Sequence, residues 1–256
     1  MVDSTRSPRW MPPWLGASHK VYQHVTGVLG AFALAAVLGH LVDLDWRGVI
    51  AFFVGYWDDY VRPAVVPDVA TMNRAHSTHY STRPDPNIKH VLPGWNPAGG
   101  PARHDLTVGD ARVRNVSTNI RDLWGGGGTQ YDMNSMFVVE TAELCIAHLG
   151  HLHHTLEPSH LKKLGRIDVV LVPVDGGYTL DTDGMMEVLK AIGAPLILPM
   201  HYFNPATLDR FLAKSKEHYR VEFSKTSRIV VSRATLPPSA KVLVLPESRG
   251  GLLGDP

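Results

Sequence analysis

Residues 134–154 read NSMFVVETAELCIAHLGHLHH. Two apolar runs flank a short polar turn, the pattern of a β-hairpin. The second run then delivers His148, His151, His153 and His154 within seven positions. A strand tip fixes position while the loop beyond it leaves room for a ligand, so imidazoles gathered there suit a metal site. For any one of these histidines, a hydrogen-bonded loop residue is the ordinary alternative.

Working outward, the same arrangement recurs twice. NRAHSTHYS (73–81), with His76 and His79, follows the apolar run VVPDVATM, and PMHY (199–202), with His201, follows PLIL. Ten of the chain's 14 histidines lie between His76 and His201. If these strands end at one edge of a sheet, four or more imidazoles converge, and neutral imidazole is the usual ligand of zinc and suits iron, nickel and copper.

The remaining elements support such a sheet. DLTVGDARVRNV (105–116) alternates around a Gly-Asp turn, as a hairpin would. IDVVLVPV (167–174) and PLILPMHY (195–202) are continuous apolar runs expected of strands buried on both faces. SHLKKLG (159–165), TDGMMEVLKAIG (182–193) and PATLDRFLAKSKEHY (205–219) have helical spacing, and KVLVLP (241–246) closes the series. Hairpins followed by alternating strands and helices describe a layered α/β domain.

Composition narrows the function classes. A formal net charge of +1 without a basic run gives no footprint for nucleic acid. One cysteine, Cys145, excludes an intrachain disulfide and a cysteine-rich zinc module, and its setting suggests a small buried hydrophobe. With 44% hydrophobic and 19% charged residues, the 256-residue chain can build one large domain with an appendage.

The appendage expected is residues 1–65, with the α/β domain over 66–256 and RPAVVPD (62–68) as the linker. Val25 to Val42 carries no formal charge and reaches the lower limit for a bilayer span. GVIAFFVGYW (48–57) is shorter and suits an interfacial segment, so residues 25–57 point to membrane association. Arg6, Arg9 and Lys20 favour a cytoplasmic N-terminus. A pair of buried core helices in a cytoplasmic protein is the alternative.

From about residue 66 to 245 the chain resembles the metallo-β-lactamase-fold hydrolases, within them the sugar-phosphate-lactonase-like and N-acyl-phosphatidylethanolamine-phospholipase-like branch. NSMFVVETAELCIAHLGHLHH, IDVVLVPVDGGYTLD and PLILPMHYFNPATLDRF carry the resemblance, in order and at matching spacing. It implies an αββα sandwich whose opening strands are here absent or replaced by the apolar N-terminal segment as helices. The family's His-x-His-x-Asp-His motif is degenerate: His79 takes the second histidine, Ser77, Ser81 and Thr82 replace the other three, and His76 lies one place off. Asn119 and Ile120 stand where a third-region histidine is expected, and His151 replaces the bridging aspartate.

A neutral imidazole cannot bridge two cations about 3.5–4 Å apart, whose repulsion needs an anionic ligand between them. The resemblance therefore implies one ion, zinc or another divalent transition metal, held by His79, His151 and His201, with His76 as a possible substitute. His153 is the expected proton acceptor and Asp181 the expected carboxylate behind an imidazole, whereas Asp175 is expected to stabilise its own turn. The substrate would be a small or lipid-like ester, lactone, amide or phosphodiester. A catalytically inactive relative with a binding or scaffolding role is the competing reading, and a foreign N-terminal segment on a truncated sandwich is a third.

Overall fold

The computed structural model describes residues 66–73, 79–122, 128–202, 204–226 and 229–246. The segment proposed to meet a membrane, and His76, lie outside them. Among the described residues no helix is long and apolar enough to cross a membrane.

Eight strands form the main sheet, in the order β3 (Asp105–Val108), β4 (Ala111–Arg121), β5 (Thr129–Thr141), β6 (Leu144–His148), β7 (Val169–Pro173), β8 (Leu196–Met200), β10 (Lys241–Val244) and β9 (Arg220–Phe223). The β3–β6 half is antiparallel, with two-residue turns between β3 and β4 and between β5 and β6; from β6 onward the pairs are parallel. Crossovers between the parallel strands carry the helices α1 (Pro158–Leu164), α2 (Thr182–Ile192) and α3 (Pro205–Ser215). A separate parallel pair, β1 (Val69–Met72) with β2 (His90–Pro93), completes the described strands.

Side-chain alternation sends each strand's apolar residues to two cores. Met136, Val138, Ala147, Val170, Val172 and Ile197 pack with Leu164 of α1, Met185 and Leu189 of α2 and Phe211 of α3. Phe137, Val139, Ile146, Val169, Leu171 and Leu198 face the other way, toward Val69 and Leu92 of the small sheet and Val231. Both faces are therefore covered, which is why β7 and β8 read as unbroken apolar runs. The result is the α/β metallo-β-lactamase-like layering expected from the sequence, with few helices on a mixed sheet.

Two asparagines join the layers. Asn73, just past β1, accepts from Ser135 N at 2.7 Å and donates to Ser135 O at 3.2 Å, so the small sheet is tied to β5. Ser135 Oγ donates to Gly94 O at 2.9 Å in the same seam. Asn134, fully buried, donates to Thr118 Oγ1 and Leu149 O at 2.7 and 3.1 Å. Fully satisfied buried amides of this kind fix one relative placement of the elements they join.

Two local outcomes differ from expectation. The 205–219 helix stops at Ser215, where Lys216 serves as its C-cap. Cys145 is only partly buried, and Arg166 Nη2 meets its sulfur at 3.5 Å.

Candidate metal centre

Strands β6, β7 and β8 run parallel and in register, so their C-terminal tips finish at one edge. In parallel α/β sheets that edge is where ligands bind. The loops leaving it hold His151, Asp175 and His201. The chain beyond β1 brings His79 to the same place, and Asn73 N donates to His79 O at 3.1 Å to close that loop.

Each ligand loop has its own local cause. Gly150 turns the chain at φ +62°, and a Cβ there would stand 2.4 Å from both Asn134 Oδ1 and Asn73 Nδ2. Only glycine fits, and the turn delivers His151, whose backbone N–H donates to Asn134 Oδ1 at 2.7 Å. His201 itself adopts φ +55° at the end of β8. A non-glycine residue held in the left-handed region costs on the order of 1–3 kcal/mol, and such outliers gather where function needs a side chain aimed off its strand.

The three imidazoles meet. One nitrogen from each of His79, His151 and His201 lies within 4.8 Å of the others. His151 Nε2 and His201 Nε2 are 3.1 Å apart, and their rings are nearly perpendicular at 83°. The His79 ring centroid is 4.9 Å from that of His151 and 5.4 Å from that of His201. Nitrogens bound tetrahedrally to one zinc at about 2.0–2.1 Å would be roughly 3.3–3.4 Å apart, so this donor set fits a single cation after small side-chain adjustments.

Asp175 orients the His201 ring. Its Oδ1 accepts from the N–H groups of Gly177, Tyr178 and Thr179 at 2.8, 2.5 and 3.2 Å, and its Oδ2 accepts from Thr179 Oγ1 at 2.6 Å. The same Oδ2 lies 3.0 Å from His201 Nδ1. A proton held on Nδ1 by the carboxylate leaves Nε2 as a lone pair facing His151, the usual way a carboxylate orients a metal-binding histidine. Burial pushes the Asp175 carboxyl up. The hydrogen bond from His201 and its electrostatic attraction, with the Thr179 and Gly177 donors, outweigh burial and hold it well below the ordinary carboxylate range.

Other expected residues fall elsewhere. Asp181 does not reach an imidazole: it is the N-cap of α2, where Oδ1 accepts from Gly184 N at 2.9 Å. The carboxylate behind an imidazole is Asp175 instead, which also stabilises its turn as expected. The adjacent register of β7 and β8 could have revealed this, because residues just past paired parallel tips are neighbours. His153 and His154 are outside the three-imidazole cluster. A bulge in β4 between Thr118 and Ile120 frees the Asn119 backbone, whose N–H donates to His154 Nε2 at 3.2 Å and whose carbonyl lies 3.1 Å from His153 Nδ1. His148 is buried with Nδ1 accepting from Gly150 N at 2.9 Å, and its Nε2 has no partner. Burial first, and then the positive field of His201, push its pKa down from 6.5 to about 3 despite an opposing backbone hydrogen bond.

A mixed sheet with helices on one face, and histidines from separate strand tips meeting at its edge, defines a metallo-β-lactamase-type scaffold. The model of the beta-lactamase superfamily domain matches residues 43–201, and the chain belongs to that family, the metallo-β-lactamase-fold hydrolases. A UPF0173 metal-dependent hydrolase of Methanoculleus marisnigri is 26% identical over 199 residues, 72% of this chain and 85% of that protein. A Thermotoga maritima protein, assigned to the Zn-dependent hydrolases of the superfamily, superposes with a TM-score of 0.54 at 26% identity, over 77% of this chain and 89% of its own. A Parabacteroides distasonis protein named as a metal-dependent hydrolase shares the fold at 11% identity, with a TM-score of 0.52 over 76% and 84% of the two chains.

Proposed function

We propose that this protein is a hydrolase working with one divalent cation, zinc being the first choice, held by His79, His151 and His201. The observation that carries the reading is the approach of three imidazole nitrogens from three separate loops to within 4.8 Å of one another. A cation bound by three imidazoles supplies a water whose pKa falls toward about 7, and polarises a substrate carbonyl or phosphoryl oxygen.

The chain's own groups do the rest. Asp175 keeps the His201 proton on Nδ1 and so keeps Nε2 a donor of electrons. Asn134 holds the His151 loop, and Asn73 holds the His79 loop, so the ligands are placed before anything binds. His153 is the proton acceptor. With Asn119 O accepting from Nδ1–H, Nε2 carries a lone pair, 3.5 Å from the Thr129 hydroxyl. Burial lowers its pKa, which keeps the basic form populated at neutral pH.

Metal analysis of protein from zinc-supplemented cultures tests this. About one equivalent is expected, lost in His151→Ala and His201→Ala, with ester hydrolysis abolished by chelation and restored by zinc. His153→Ala should retain metal and lose turnover by about 10²–10⁴-fold. Wild-type protein carrying under about a tenth of an equivalent of any transition metal would overturn the proposal.

A further inference from the structure

We infer that Arg121, at the end of β4, is the substrate-recognition cation of this site and selects compounds bearing an anionic group, carboxylate or phosphate, beside the bond to be cut. This rests on the hydrolase reading above and adds the substrate class to it.

Three other arginines near the same sheet are paired with carboxylates. Arg112 binds Asp105 through two bonds of 2.7 and 2.6 Å and also reaches Glu140, Arg114 meets Glu140 at 2.5 Å, and Arg233 meets Asp168 at 2.8 Å. Arg121 shares β4 with the first two but has no ion pair among the described residues. Its contact is a long one, Nη2 to Thr179 O at 3.5 Å, and its Nε is buried without a partner. Guanidinium is a rigid fork built for two acceptor oxygens. A half-buried one facing a single distant carbonyl is short of the anion that would offset its desolvation.

Its position ties it to the metal centre by two routes. Thr179, whose carbonyl it meets, donates its hydroxyl to Asp175 Oδ2, the atom bonded to His201 Nδ1. On the other side, Arg121 is paired with Thr129 across the hairpin, and the Thr129 hydroxyl lies 3.5 Å from His153 Nε2. The loop bearing His151 and the loop bearing Asp175 are themselves joined, Leu180 N donating to Leu152 O at 2.9 Å. Arg121 is thus linked through Thr179 to the Asp175 loop and through Thr129 to the loop that bears His151 and His153. A ligand oxygen there would meet the guanidinium and the Thr129 hydroxyl while its reacting atom faced the imidazoles.

Titration calorimetry with inorganic phosphate and with acetate tests the inference on zinc-loaded protein and again after chelation. Wild-type protein should bind at least one of the two anions in both forms, and the tighter of the two identifies the class. Arg121→Gln should weaken that binding at least tenfold in both forms, and Arg121→Lys, which keeps the charge but loses the two-pronged fork, should bind more weakly than wild type and more tightly than Arg121→Gln. Binding to Arg121→Gln within twofold of wild type, or binding of either anion only when zinc is present, would overturn the inference. The metal-free titration does not depend on the hydrolase reading. If that reading failed, the zinc analysis of the histidine variants would show it while the Arg121-dependent binding persisted.

Discussion

His201 Nδ1 lies 3.0 Å from Asp175 Oδ2, and the two residues stand just past the tips of adjacent parallel strands paired Pro173 to Met200. The carboxylate is anchored by four donors from its own loop, so it cannot follow the imidazole if the latter moves. Asp175→Asn should therefore weaken zinc binding by about 10- to 100-fold, the usual loss when the group orienting a metal-binding histidine is changed. Competition with a chromogenic chelator measures this, and an unchanged affinity would leave Asp175 with only its turn.

The Gly150 turn is predicted to tolerate no side chain. Gly150→Ala places a methyl 2.4 Å from two buried amide atoms at φ +62°. Strain and lost hydrogen bonds together should cost at least about 2 kcal/mol in urea unfolding. Metal binding should fall as well, since His151 is the next residue. Stability within about 0.5 kcal/mol of wild type would show that the Asn73–Asn134 seam is softer than its geometry implies.

His148 makes stability depend on pH. Its folded pKa is pushed down to about 3 from an ordinary 6.5, so the unfolded chain binds a proton that the folded chain does not. The full contribution is present above pH 6.5 and is lost progressively as pH falls toward 3. Over that window this residue alone should contribute a slope of up to about 1.4 kcal/mol per pH unit. His148→Gln should flatten the slope between pH 6.5 and 5, measured by urea unfolding at fixed ionic strength, and an unchanged slope would place its origin elsewhere.

The turn joining β5 to β6 carries removable strain. Ala142 and Glu143 both have positive φ, +48° and +62°, as in a type I′ turn that favours Asn-Gly. Replacing the pair by Ala142→Asn and Glu143→Gly should stabilise the protein by about 1–2 kcal/mol, with metal content and turnover unchanged. The bond from Arg166 Nη2 to residue 143 is to a backbone carbonyl, so it survives the exchange. No gain in thermal midpoint would mean that the observed turn is relaxed by its neighbours.

Much of this protein is written locally. The period-two and unbroken apolar runs of 134–149, 167–174 and 195–202 identify strands because burial on one or two faces imposes those patterns, and the histidines at their ends mark the edge that matters. Sequence alone also shows that a histidine occupies position 151, where the resemblance leads one to expect a bridging aspartate. What it could not decide is which side chains meet across loops. Asp175 and Asp181 are six residues apart in one segment, and only the in-register pairing of β7 with β8 gives the former to His201 while helix α2 claims the latter as its cap. Asn134 and Asn73 carry no motif, and their structural roles arise from partners 15 to 62 residues distant. Backbone pattern is a property of neighbours in the chain, whereas hydrogen bonding, ion pairing and, among the described residues, the lack of a counter-ion at Arg121 are properties of neighbours in space.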